Sequence, residues 1–346
     1  MRLLIDIHHP KHVHFFRPLI RRWQGRGDTV QIVTRDKDIT HRLLDLYGLP
    51  YVCLSRQQRG WRTGVELAWR WLQFARWIRR VRHDVVLSVA GITSAPPSRC
   101  LRVPNIAFTD TETAVLSNRM AFPFADRILT PEWFTVDCGP RHHRYRGFHE
   151  WSYLNPNEFQ PDAAIVRAEG IDPDTPYALL RLVRWGAAHD RGERGFTPED
   201  AITLVEQLAR RLRVCVSVEG PAPAALQPYV ARLRVDRVHH VEAFASLVVG
   251  ESPSMATESA LLGVPAVLVS SWAGRCGNMQ VLQQRFGLMQ VYTESRPGVA
   301  AALELAQCPP ERPAINGRRR ALLADLCDMP AMVDGHIAAV LRTESQ

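Results

Sequence analysis

Leu247-Val248-Val249-Gly250-Glu251-Ser252-Pro253-Ser254-Met255-Ala256-Thr257-Glu258-Ser259-Ala260-Leu261-Leu262-Gly263-Val264-Pro265-Ala266-Val267-Leu268-Val269 is the stretch that decides the fold. A buried-type apolar run enters a turn of small residues, a helix follows, and Gly263-Val264-Pro265 ends it before a second apolar run. Such runs belong to parallel strands covered by helices on both faces. Ser252, or Ser254 if the helix starts later, is the expected N-cap. The amides of residues 253–257, with Met255, Ala256 and Thr257 at their centre, and the positive helix end then suit a diphosphate. Glu258 shares a helix face with Ser254 one turn on, where a carboxylate can bridge ribose hydroxyls. A capped helix with a surface-facing Glu258 accounts for the same residues, so the junction alone leaves both readings open.

The alternation extends in both directions. Strands are expected at 2–7, 29–34, 51–54, 84–89, 104–109 and 126–130, with helices at 13–25, 38–47 and 64–82 between them. A polar, turn-rich stretch around 147–162, with Asn155-Pro156-Asn157 and Pro161-Asp162, marks a boundary. The pattern then restarts with strands near 177–183, 214–218, 246–249 and 265–269. Helices fall near 198–211, 254–262, 277–286, 297–306 and 315–327. The chain thus reads as α/β, with two doubly wound Rossmann-like domains, residues 1–155 and 156–346, facing a cleft. The last helices are free to pack back on the first domain. Ligands in such sheets bind beyond the carboxyl ends of the strands, so each strand-to-helix junction is a candidate site.

Composition narrows the class. The 346 residues are 46% hydrophobic and 23% charged, which excludes a disordered chain, a collagen-like repeat or a disulfide-stapled miniprotein. No apolar run reaches a membrane span, and the N-terminus enters a strand with no leader-like segment. The formal net charge of +8 favours anionic partners, but almost all of it is dispersed arginine without a recognition motif, so nucleic acid is not expected. Seven scattered cysteines without a Cys-x-x-Cys fit reduced thiols in the cytoplasm.

Three more junctions carry polar chemistry. The first, Asp6-Ile7-His8-His9-Pro10-Lys11-His12-Val13-His14, opens a helix with four imidazoles and a lysine. Capping and packing account for some of them. Another can serve as a general base near neutral pH. Pro10 opposes the helical spacing a metal site would need, and no metal is assigned. The second, Thr109-Asp110-Thr111-Glu112 followed by Asn118-Arg119, places carboxylates where they serve either acid–base chemistry or helix capping. The third runs from Arg181 to Arg191, with Arg184 and His189 after a strand, for phosphate contact or as a solvated loop.

The pattern Gly250-x-Ser252-x-Ser254-x-x-x-Glu258-x-x-x-x-Gly263-x-Pro265 resembles the nucleotide-sugar site of GT-B enzymes. It is similar to those of the peptidoglycan N-acetylglucosaminyltransferase and UDP-GlcNAc 2-epimerase. Nearly the whole chain resembles the "predicted glycosyltransferase" family, domain of unknown function 354. The matching residues are Ile5 to Phe16, Thr34 to Asp38, Thr109 to Glu112, Asn118-Arg119, Phe122 to Asp126, Tyr145 to Glu150 and the 250–265 block. The chain departs from the family pattern at His8, at Val183 to Asp190 and at Thr113.

The resemblance implies an inverting glycosyltransferase with a nucleotide-sugar donor, expected to be UDP-linked, in the C-terminal domain. Gly250, Ser252, Ser254, Met255, Ala256, Thr257, Glu258, Arg184 and His189 would bind it. The acceptor would lie on the N-terminal domain near His8, Lys11, Glu112, Asn118 and Arg119. His12 is the expected base, with His9, His14 and Asp110 in reserve. No cofactor is expected, and on the reading that no Asp-x-Asp pair occurs in the chain, transfer should need no metal. A 2-epimerase-like enzyme and a non-catalytic sugar- or nucleotide-binding assembly protein are the alternatives. The Trp- and Arg-rich segment 61–82 should pack Leu67, Trp71, Phe74 and Ile78 inward. Its Trp61, Trp69 and Trp77 are expected to meet an anionic membrane at the inner face or a lipid-linked or surface-polysaccharide acceptor.

Overall fold

A computed structural model describes residues 1–36, 39–56, 58, 62–183 and 195–344 of the chain. The first half runs β1 (Arg2–Ile7), α1 (Pro10–Gly25), β2 (Thr29–Asp36), α2 (Thr40–Leu46), β3 (Val52–Arg56) and α3 (Arg62–Val81). It continues through β4 (Val85–Val89), α4 (Ala95–Cys100), β5 (Asn105–Phe108), α5 (Val115–Ala121), β6 (Arg127–Pro131) and β7 (His142–Tyr145). Next come α6 (Trp151–Leu154), α7 (Ala163–Ala168), β8 (Tyr177–Leu182), α8 (Pro198–Leu208), β9 (Arg213–Val218) and α9 (Val238–Phe244). The chain closes with β10 (Leu247–Gly250), α10 (Pro253–Leu262), β11 (Ala266–Val269), α11 (Gly277–Gln280), β12 (Met289–Tyr292), α12 (Ser295–Gln307), α13 (Arg312–Leu323) and α14 (Met329–Glu344).

Two wholly parallel sheets result, ordered β3-β2-β1-β4-β5-β6-β7 and β12-β11-β10-β8-β9. In each, the strand order reverses beside the first strand, the arrangement that opens a binding crevice at the carboxyl edge. Residues 1–158 and 327–346 form one compact unit and residues 159–326 the other. The boundary expected after residue 155 therefore falls after Glu158, and the chain from Cys327 onward, assigned to the second domain with its last helices free to pack back, belongs to the first unit. The cause is specific. Fully buried Trp23 of α1 donates Nε1–H to Asp334 of α14 at 2.8 Å, and Cys327 N–H donates to Arg146 O at 2.7 Å. No helix among the described residues is long and apolar enough to cross a membrane.

Helix α3 corrects the expected packing. Phe74 and Ile78 are buried against Leu4, Val33 and Val86 of the sheet. Leu67 and Trp71 are only half-buried, and the inward face is completed by Glu66 and Arg70. A charged pair of positions four residues apart is read in sequence as a solvated face. Here it faces in because Glu66 accepts from Arg35 (2.5 Å), Ser55 Oγ (2.8 Å) and Gln58 N–H (2.9 Å). Trp69 is exposed, Trp77 is half-buried with Nε1 on Gln31, and Trp61 lies outside the described residues.

Burial alone would raise the Glu66 pKa, but the bonds from Arg35, Gln58 and Ser55 hold it below its ordinary value. A depressed carboxylate stabilises the fold above the unfolded pKa, and that stability is lost as pH falls through the folded value. Glu66→Ala should cost about 3 kcal/mol in urea unfolding at pH 7, because Arg35 loses its buried partner. The difference from the parent should shrink as pH falls below about 4, where the unfolded carboxylate is protonated, and close only below the depressed folded pKa, where both states are protonated. An unchanged unfolding midpoint at pH 7 would contradict this packing.

Candidate active site

At the β1–α1 junction the four imidazoles have four different environments. His9 is the N-cap of α1, its Nδ1 accepting from Lys11 N–H at 3.2 Å, and Pro10 follows where no N–H is needed. His14 is buried against Tyr153 and lies 3.2 Å from Tyr47 Oη, which takes it out of the junction and out of reserve as a base. His8 is held at both ring nitrogens, 2.8 Å from Arg70 and 3.0 Å from Asp6. His12 is partly exposed, and its Nδ1 accepts from His8 N–H at 3.3 Å. Burial first, then the neighbouring imidazoles and Lys11, push His12 well below its ordinary pKa. It is therefore neutral at pH 7, and the Nδ1 contact puts its proton on Nε2.

Lys11 reaches across this junction to the next one. Its Nζ lies 2.5 Å from Asp110 Oδ2 and 2.7 Å from Glu150 Oε1, and His149 Nδ1 lies 3.2 Å from the same Asp110 oxygen. Although burial opposes each charge, Asp110 and Glu150 raise the Lys11 pKa, and His149 and Lys11 lower that of Asp110. Burial brings His149 down to about 4. Lys11 and Asp110 are therefore a fixed ion pair, and Asp110 is too weak a base for proton abstraction. His149 and Glu150 are absent from the sequence-based site. They precede a one-turn helix, and only their place in a matched motif singled them out.

Glu112, Asn118 and Arg119, the three expected acceptor-side residues after β5, line one cavity of about 520 Å3. Its remaining wall is largely apolar, with Val115, Phe122 and Ile128. Glu112 is buried and accepts from Thr135 N–H at 3.3 Å.

In the second unit, Gly250 ends β10 where a Cβ would stand 2.6 Å from Arg181 O of β8, so no side chain fits. Ser252 caps α10, its Oγ accepting from Met255 N–H at 3.4 Å, which settles the cap between the two serines. The amide cradle is smaller than expected. Pro253 has no N–H, Met255 donates to Ser252 Oγ, and Ala256 donates to Ser252 O at 3.1 Å. Thr257 is buried with its hydroxyl on Pro253 O at 3.0 Å. Ser254, partly exposed, keeps the one amide of the first turn that no described residue accepts.

Glu258 corrects the surface-facing expectation. It is 5% exposed, and His239 of α9 brings Nε2 to 3.2 Å from its Oε1. The reason is α9, a short helix that the sequence pattern does not reveal and that packs on α10. Glu251 is a second missed residue. Its carboxylate accepts Val183 N–H (2.8 Å) and Phe196 N–H (2.7 Å), on either side of 184–194. Arg184 and His189 lie in that interval, outside the described residues.

Among the described residues no group of three or more His, Cys, Asp or Glu is arranged to hold a metal ion. The reading that the chain has no Asp-x-Asp pair is corrected: the pattern occurs at Asp36-Lys37-Asp38 and Asp172-Pro173-Asp174. Asp172 and Asp174 lie before β8, at its amino end, and are bonded to Thr175 and Arg167 (both 2.6 Å). Asp38 is outside the described residues, and Asp36 is half exposed beside Arg56 and His41.

Two parallel sheets of this kind define a GT-B fold, and solved structures share it. One is UDP-GlcNAc 2-epimerase from Neisseria meningitidis bound to UDP-GlcNAc, with TM-score 0.68, 9% identity, and 94% of this chain and 99% of that one covered. Another is the glycosyltransferase VinC in complex with dTDP, with TM-score 0.61, 14% identity, and 99% and 100% covered. The chain belongs to the DUF354 family, described as a protein family of unknown function, which matches residues 1–181. An uncharacterized protein of Methanocaldococcus jannaschii is 22% identical over 277 residues, which is 76% of this chain and 80% of that one.

Removing the Glu258 side chain strips His239 of a buried acceptor. Glu258→Ala should lower stability by about 1–3 kcal/mol in urea unfolding, and Glu258→Gln, whose amide oxygen can still accept, should recover most of it. Equal stability of Glu258→Ala and the parent would contradict the pairing.

Proposed function

We propose that the protein is an inverting glycosyltransferase that moves a sugar from a UDP-linked donor to a carbohydrate or lipid-linked acceptor. The observation that carries this reading is the β10–α10 junction. Gly250 permits close strand approach, Ser252 caps the helix, Ser254 offers an amide, and Glu258 is held by His239. The diphosphate belongs at the Ser254 amide and helix end, and the ribose at Glu258. The acceptor belongs in the first unit, in the cavity beside Glu112, Asn118 and Arg119, whose apolar wall suits an acceptor with a lipid or other nonpolar part. Structural neighbours bound to UDP-GlcNAc and dTDP support the donor class through the fold alone.

In the transfer, an acceptor oxygen bonds to the anomeric carbon as that carbon's bond to the diphosphate oxygen breaks. The electron pair leaves on the nucleotide diphosphate, and the hydroxyl proton passes to a base. His12 is that base. Being neutral, it needs no prior deprotonation, and proton uptake requires it to give up its 3.3 Å contact with His8 N–H. Lys11 and Asp110 orient the junction rather than exchange protons.

A 2-epimerase-like reading is favoured by one observation, the several 2-epimerases among the structural neighbours. Against it, the carboxylates that resemblance would require before Asn118-Arg119 are replaced by Val115, Leu116 and Ser117, and Val115 and Leu116 are exposed on α5. Incubation with UDP-GlcNAc alone separates the two, because an epimerase needs no acceptor.

A thermal-shift panel of UDP-, GDP-, CMP- and dTDP-sugars should show the largest rise with a UDP-sugar; no shift with any of them would remove the donor assignment. Glu258→Gln should weaken UDP binding by about 1.5–3 kcal/mol, roughly one to two orders of magnitude in Kd, in a folded protein. His12→Ala should lower kcat by about 10²–10⁴-fold with nucleotide affinity intact. His12→Gln, which can donate a hydrogen bond but not take a proton, should be equally impaired, and its recovery would overturn the base assignment. Activity should be flat from about pH 6.5 to 8 and fall only at lower pH, because protonation of His12 is displaced downward. EDTA should leave transfer intact; loss restored by Mg²⁺ would reject the metal-free mechanism.

A further inference from the structure

Helix α3 has two faces that differ in kind. Glu66, Arg70, Phe74 and Ile78 point inward, and Arg70 reaches His8 in the candidate site. On the opposite side Val65, Trp69 and Leu72 fall at helical spacing and are 60%, 51% and 55% exposed. Arg62, Arg76, Arg79 and Arg80 are also exposed and continue this face toward both ends of the helix. The Arg76 guanidinium lies 5.9 Å from the Trp69 ring centre. From Ser55 to Arg82 the chain carries eight arginines and a single acid, Glu66, which is buried on the other face.

We propose that this outer face of α3 docks the protein on an anionic lipid surface. An apolar centre with arginines along its length suits a helix lying in the headgroup plane. Val65, Trp69 and Leu72 would enter the acyl boundary, and the guanidinium groups would pair with lipid phosphates. Tryptophan favours that interface because its ring is apolar and its N–H is polar. A soluble acidic protein would satisfy the arginines but would leave the apolar centre without a matching surface. The membrane expectation drawn from sequence thus keeps its helix but changes its residues. Trp77 turns to Gln31, and Val65 and Leu72 join Trp69. The inference rests on the surface alone and stands whether or not the donor is a UDP-sugar.

The test is flotation of the full chain with phosphatidylcholine vesicles and with vesicles containing about one-third phosphatidylglycerol. The protein should float with the anionic vesicles, remain behind with the neutral ones, and be released by high salt. Trp69→Glu/Leu72→Glu should abolish flotation. Arg76→Glu/Arg79→Glu should weaken binding at least about tenfold. Because these side chains are exposed, both variants should keep the parent's unfolding midpoint. Absence of parental flotation with anionic vesicles would overturn the proposal, as would undiminished binding by the Trp69→Glu/Leu72→Glu variant. A solution dimer that this variant dissociates would also overturn it, because a second copy would then cover the face.

Discussion

Lys11 lies within 2.7 Å of two carboxylates, those of buried Glu150 and partly covered Asp110, and the polar edge of the first unit is organised around its charge. Asp110 comes from the end of β5, Glu150 from the segment after β7, and Lys11 from the first turn of α1. Without the ammonium, two desolvated carboxylates would face each other, so three chain segments far apart in sequence are fixed by one cation. His149 adds a third contact, to Asp110, and Arg70 ties α3 to the same junction through His8. The result is a junction in which burial lowers the pKa of His8, His12 and His149 and the Lys11 ammonium is held between two carboxylates. This is a setting that can position a hydroxyl without drawing bulk water into the ion pair.

The second unit uses the same device in smaller form. Glu258 is tied to His239, Glu242 accepts from Ser259 Oγ at 2.7 Å, and Glu251 binds two backbone N–H groups. Three carboxylates are thus spent on holding α9, α10 and the ends of β8 and α8 in register. What the junction offers is narrow: a glycine without room for a side chain, a capped helix end, the Ser254 amide and the Glu258 carboxylate on its His239 support. A junction so constrained by its own scaffold is pre-organised, with little left to order under the proposed nucleotide binding.

Periodicity revealed the central strands because β1, β4, β5, β8, β10 and β11 are buried on both faces and read as continuous apolar runs. Of the four edge strands, β3 and β9 were legible and β7 and β12 were not. β7 is His142-His143-Arg144-Tyr145 and β12 is Met289-Gln290-Val291-Tyr292, each short, polar and half-covered. The cap at Ser252 and the capping role among the histidines follow from local chemistry, which sequence carries. The partners of Glu66 and Glu258 do not, since Arg35 is 31 residues away and His239 is 19 away, and only tertiary packing makes a buried glutamate tolerable. The return of the last helix to the first domain was open from sequence, but not its anchor, because a tryptophan and an aspartate more than 300 residues apart leave no local pattern.

The central claim is that the β10–α10 junction receives a nucleotide diphosphate, and a crystal structure of the protein soaked with UDP tests it most directly. The account predicts phosphate oxygens within hydrogen-bond distance of the Ser254 amide and both ribose hydroxyls at the Glu258 carboxylate. UDP seated anywhere else in the chain, or a ribose with no contact to Glu258, would contradict it.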